Sequence, residues 1–107
     1  MTRVTVGDTV RLIVEFYDFN GDPIDPTSIT ITVENKQREI LLQESITGAD
    51  HVLNDKGLAI PGQYYYDFET TEVGIQYYYF KGTINGTPGL RNGSFSVMDI
   101  DGTGGRI

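Results

Sequence analysis

Thr9-Val10-Arg11-Leu12-Ile13-Val14-Glu15-Phe16-Tyr17-Asp18 is the stretch that decides the fold. Val10, Leu12, Val14 and Phe16 share one parity, and Thr9, Arg11, Glu15 and Tyr17 fill most of the other. Side chains alternate sides along an extended chain, whereas the apolar positions of a helix recur every three to four residues. The stretch is therefore a strand with one face in a core and one in water.

Working outward, Phe19 to Pro26 contains an Asn-Gly step and two prolines and reads as turn and loop. Ile29, Ile31 and Val33 then alternate with Thr30, Thr32 and Glu34, a β-branched second strand. Arg38 to Glu44 fits either a strand or a short helical turn, and Ile46 to Leu58 reads as strand, loop and short strand. After Pro61-Gly62 the alternation returns at Tyr64, Tyr66 and Phe68, again over Tyr77 to Ile84, and finally at Phe95 and Val97. Asn85-Gly86 suits a two-residue hairpin connection, since both residues tolerate positive φ. About seven short strands broken by Gly, Pro, Asn and Asp predict an all-β sandwich or small barrel. The expected core is Val10, Leu12, Val14, Phe16, Ile29, Ile31, Val33, Tyr64, Tyr66, Tyr77, Tyr79, Phe95 and Val97.

The 107 residues make one domain, expected over residues 1–98, with a Gly-rich tail over 99–107 that orders only against a neighbouring subunit. Eight basic and 15 acidic residues give a net charge of -7, which disfavours nucleic acid and anionic membrane surfaces as partners. There is no cysteine, in keeping with folding in a reducing cytoplasm. Met1-Thr2-Arg3 runs directly into strand-like sequence, so neither a secretory signal nor an anchor is expected.

Candidate chemistry is sparse. His51 is the only histidine, which excludes a multi-histidine metal site within one chain and leaves no Gly-x-Ser-x-Gly nucleophile for it to serve. Gly82 to Gly93 lacks the lysine of a phosphate-binding loop. Asp18, Asn20 and Asp22 at alternate positions, with Asp25 nearby, offer hard oxygen donors for calcium. Pro23 and Ile29 stand where an EF-hand needs Gly and Glu, and the alternative is a turn held by side-chain to backbone hydrogen bonds. No cofactor and no catalytic residue is expected.

Tyr64-Tyr65-Tyr66 and Tyr77-Tyr78-Tyr79 cannot each bury three neighbours on one face. With Tyr64, Tyr66, Tyr77 and Tyr79 inside, Tyr65, Tyr78 and Phe80 point outward as candidate interaction residues. For Tyr65, cross-strand packing is the equal alternative. Gly74, three residues before Tyr77, is similar to the tyrosine corner of immunoglobulin-like domains, or is a turn glycine before an ordinary core tyrosine.

The segments Gly7-Asp8-Thr9-Val10, Phe16 to Val33, Gly62-Gln63-Tyr64-Tyr65, Gly74-Ile75-Gln76-Tyr77 and Gly93-Ser94-Phe95-Ser96-Val97 together resemble small immunoglobulin-like structural proteins of tailed bacteriophages. The resemblance spans residues 4 to 98 and departs at Glu34-Asn35-Lys36-Gln37, where family members carry Asp-Pro-Asp-Gly or a similar hairpin. It implies an immunoglobulin-like β-sandwich of about seven antiparallel strands. It also implies a virion structural protein (capsid decoration, neck or tail-associated) in several copies, bound to other virion proteins and assembled in the host cytoplasm. The alternative is a carbohydrate-binding or adhesive immunoglobulin-like module of a surface system.

Overall fold

The computed structural model describes residues 2–46 and 51–99. Within them the chain forms eight strands: β1 (Thr2–Thr5), β2 (Thr9–Glu15), β3 (Ile29–Glu34), β4 (Ile40–Ile46), β5 (His51–Leu53), β6 (Ala59–Glu69), β7 (Gly74–Ile84) and β8 (Thr87–Met98). A five-stranded sheet in the order β1-β8-β7-β3-β4 faces a three-stranded sheet in the order β2-β6-β5. The pairings are antiparallel except that β1 runs parallel to β8. The protein is thus an all-β, two-sheet sandwich; of the tail expected over residues 99–107, residues 100–107 lie outside the described residues.

The alternation of β2 is realised without exception: Val10, Leu12 and Val14 are buried and Thr9, Arg11, Ile13 and Glu15 exposed. Val10 and Val14 stand opposite Phe68 and Tyr64 of β6. Across the sandwich, Ile29, Ile31, Val33, Phe80, Phe95 and Val97 complete the core. Each such side chain contributes about 1.5–3 kcal/mol by leaving water. Between β1 and β2 the chain changes sheets, and Thr70 holds that crossing. Its hydroxyl accepts from Gly7 N–H at 2.9 Å and donates to the Asp8 carbonyl at 3.0 Å.

The parity of β7 is the reverse of the expected one. Phe80 is 0% exposed and Tyr78 packs against the core, while Tyr77 and Tyr79 lie on the outer face. Three physical causes act together. Phe80 has no polar atom to leave in water, Lys81 shares the parity of Tyr77 and Tyr79 and must reach solvent, and Gly93 opposite Tyr78 makes room for its ring. A Cβ at Gly93 would come within 2.5 Å of the Tyr78 hydroxyl. Outside, the Tyr79 hydroxyl bonds Glu34 at 3.3 Å and the Arg38 guanidinium sits 4.4 Å over the Tyr77 ring. No tyrosine corner forms at Tyr77, because Gln76 is the residue that enters the core. The first triplet follows expectation more closely: Tyr64 is buried, Tyr66 packs partly buried against the core, and Tyr65 faces out.

Two hairpin connections are set by their own turn residues. At Asn35 the side-chain oxygen accepts from Gln37 and Glu39 N–H at 3.0 and 2.9 Å, so the β3–β4 turn closes without a glycine, leaving Arg38 at φ 69°. The ambiguous segment that follows is strand β4. Asn85 and Gly86, at φ 51° and 79°, make the two-residue β7–β8 hairpin that their sequence predicts.

One glycine is fixed by close approach. Gly62 has φ 78°, and a Cβ there would lie 2.6 Å from the Phe16 carbonyl oxygen, whereas Gly57, at φ 77°, has nothing within 4 Å. Gly57→Ala is expected to cost about 1 kcal/mol from left-handed strain alone. Gly62→Ala, which adds a backbone clash, should cost about 3 kcal/mol. Urea unfolding of both variants checks this; equal losses would show that the Phe16 approach carries no weight.

Candidate functional site: a cleft at the loop end

The β2–β3 loop and the β7–β8 hairpin emerge from the same end of the sandwich and are stitched together, since Thr27 N–H donates to the Thr83 carbonyl at 2.9 Å and Thr83 N–H to the Ser28 carbonyl at 3.0 Å. The loop is a folded unit. Asp18 Oδ1 accepts from the N–H groups of Asn20 and Asp22 at 2.8 and 3.0 Å, and Asp18 N–H donates to the Asp22 carbonyl at 2.9 Å. Tyr17 bridges to Pro23, and Ile24 N–H returns to the Phe16 carbonyl at 3.1 Å. These bonds place Phe19 at the tip, 93% exposed.

Between the loop and the hairpin lies an open, largely apolar cleft of about 260 Å³, lined by Tyr17, Asp18, Phe19, Ile84, Pro88 and Arg91 among others. The Arg91 guanidinium carbon stands 5.9 Å from the centre of the buried Phe16 ring. The Tyr17 hydroxyl is bonded to Glu15, and that bond raises the phenol's pKa.

A second cluster adjoins the base of the loop. Asp25 Oδ1 accepts from Gly62 N–H at 2.7 Å and lies 3.7 Å from His51 Nε2. His51 Nδ1 is 3.1 Å from the Gln63 carbonyl, which can only accept, so Nδ1 carries a proton. The imidazole stacks on Tyr64 with centroids 4.0 Å apart. Burial, reinforced by the Asp25 charge, pushes the Tyr64 phenol up to about 12.

The structure disposes of the predicted residues as follows. Asp18, Asn20, Asp22 and Asp25 do lie in one loop, but Asn20 and Asp22 contribute backbone N–H groups and the carboxylates of Asp18 and Asp25 hold the chain, which is the turn alternative. Among the described residues no group of three or more His, Cys, Asp or Glu is placed to hold a metal ion. Tyr65 is on the outer face of the three-stranded sheet with Arg11 4.0 Å over its ring, and Arg11 is bidentate to Asp67 at 2.8 and 2.9 Å. That pairing holds the Asp67 carboxyl below its usual range. Tyr78 and Phe80 face inward, so they offer no outer contact surface.

Two cleft residues went unread in the sequence. Phe19 is an unsupported ring in a run of turn formers, and Arg91 shares the inward parity of Phe95 and Val97, a cation where an apolar residue is expected.

No family model and no curated protein matches the chain. Among solved structures, CopC from Methylosinus trichosporium OB3b is similar over 92% of this chain and 84% of that one, with a TM-score of 0.58 at 16% identity. At that identity the likeness shows the fold alone. It corrects the phage resemblance: the sandwich is matched by CopC and by nothing from a phage particle, so the virion role, virion partners and virion location are withdrawn. The carbohydrate-binding or adhesive surface module goes with them.

The Tyr64 environment has a consequence for alkaline stability. With a folded pKa of about 12 against about 10 unfolded, the unfolded chain loses this proton first. The contribution is whole below pH 10 and is lost as pH rises through 12, on the order of 2 kcal/mol. Denaturant titrations from pH 9 to about 12 should show that decline, and Tyr64→Phe should flatten most of it, Tyr17 leaving a residue. An unchanged slope in Tyr64→Phe would assign the decline elsewhere.

Proposed function

We propose that this chain is an immunoglobulin-like, non-catalytic binding domain that receives its ligand in the loop-end cleft. The strand order supports the finer fold: taken in chain order, β2-β6-β5 and β8-β7-β3-β4 correspond to the B-E-D and G-F-C-C′ sheets of variable-type immunoglobulin domains. The β2–β3 and β7–β8 connections are then the B–C and F–G loops, which carry recognition in that architecture.

The observation that carries the reading is Phe19. Its ring makes no contribution to the core and stands in water beside an apolar cleft, forgoing burial worth roughly 1.5–3 kcal/mol that a ligand would recover. Against catalysis, His51 is engaged by its stack on Tyr64 and its bond to the Gln63 carbonyl. Against a metal centre in the loop stands the donor set: one histidine and no cysteine in the chain, and Asp18 and Asp25 carboxylates that accept backbone N–H groups.

Phe19→Ser should leave thermal stability within about 0.5 kcal/mol of the parent, as an exposed residue without structural duties does. Titrating the labelled protein with phenol should shift the backbone amides of residues 17–19, 84–87 and 89–91 first, and less so in the variant. Shifts centred instead on the outer groove around Thr30, Tyr79 and Lys81 would overturn the assignment.

A further inference from the structure

We propose that the cleft recognises a polypeptide C-terminus ending in an apolar residue, with Arg91 binding the terminal carboxylate; this rests on the cleft being the binding site. Arg91 lies opposite Phe80 in the β7–β8 pairing and so starts from the inner face of the sheet. An inner-face cation at a sandwich edge has two uses: guarding the edge against pairing, or meeting an anion. For the first use it needs only to be charged. For the second it must keep its donors free beside a place where an anion fits.

The geometry favours the second use. Arg11 and Arg38 are paired with Asp67 and Glu34. Arg91 donates one Nη1 bond to the Leu90 carbonyl, and among the described residues no carboxylate lies within ion-pairing distance of it or of the exposed Arg3; of these two, Arg91 is the one that lines the cleft. Its remaining N–H groups are available to a bidentate acceptor, and the guanidinium carbon stands 5.9 Å from the Phe16 ring centre on an otherwise exposed residue. Asp18 lines the same cleft, but its Oδ1 is held by two backbone N–H groups of the loop.

Size decides between a free acid and a chain end. About 260 Å³ holds one side chain and its carboxylate, and the Phe19 ring that lines the cleft is 93% exposed, so a molecule of that size covers only part of it. A chain end fills the cleft and covers the rim.

Three probes test this: a five-residue glycine-serine peptide ending in phenylalanine with a free carboxylate, the same peptide amidated, and 3-phenylpropionate. The free peptide is expected to bind at least about tenfold more tightly than the amide, the ratio corresponding to one charge-assisted contact. Arg91→Gln should bring the two peptides to equal affinity, and Asp18→Asn, which keeps the Oδ1 acceptor and removes a like charge, should tighten the free peptide severalfold. Circular dichroism and melting of both variants confirm that they fold. Equal binding of acid and amide by the parent would overturn the role of Arg91 while cleft shifts with phenol left the site standing. Binding of 3-phenylpropionate as tight as that of the peptide would overturn the chain-end assignment. No cleft response to any probe, phenol included, would remove the site itself and this inference with it.

Discussion

The structure depends on where Phe16 sits. Its ring is fully buried at the end of β2 and occupies the space that a Cβ on Gly82 would need, within 2.8 Å. Its backbone is held from the other side, N–H to the Gly62 carbonyl at 2.9 Å and C=O from Ile24 N–H at 3.1 Å. One residue thus joins the two sheets through a pair of glycines and fixes the returning limb of the loop. A side chain at either glycine would push the ring or the backbone away, and the loop, the cleft floor and the seat of Arg91 would shift together.

From that joint the electrostatics follow. The chain carries a charge of -7, and three of its described arginines, Arg11, Arg38 and Arg91, lie near aromatic rings. Arg11 lies across Tyr65 and pairs with Asp67 in the open, and Arg38 does the same for Tyr77 and Glu34; exposed pairs of this kind contribute little to stability and chiefly cover aromatic rings. Arg91 stands farther from its ring, 5.9 Å from the centre of Phe16, and has no acid beside it among the described residues. The excess of carboxylates on the rest of the surface makes an unpaired guanidinium in an apolar cleft more conspicuous, since acids were plentiful enough to pair it.

Much of the sandwich was legible because period-two alternation in β2 and β3 admits one register only. The misreading of β7 came from treating tyrosine and phenylalanine as equivalent. Gln76-Tyr77-Tyr78-Tyr79-Phe80-Lys81 offers two apolar sets of opposite parity, and the ends of the run settle which is inside: phenylalanine has no polar tip and lysine requires water. The Asn35 turn was illegible for a different reason, because an Asx side chain can close a turn that carries no glycine. The cleft was illegible because Phe19 and Arg91 are distant in sequence, and only the pairing of β7 with β8 and the return of the loop onto Phe16 bring them together.

The loop that bears Phe19 is held internally by Asp18 and at its base by the bond from Gly62 to Asp25. Those bonds are all made within the chain, so the exposed ring is displayed by a hydrogen-bonded frame of the loop's own. Ordering a flexible side chain at an interface costs about 0.5–1.5 kcal/mol, and ordering a loop costs more. A short, prefolded loop avoids the greater part of that cost, which lets a site as small as this cleft bind with only one ring and one guanidinium as its principal contacts. The shape of the cleft sets its limit: it is open on one side, so an apolar residue at a chain terminus, whose far side stays continuous with its own chain, suits it better than a ligand requiring burial all round.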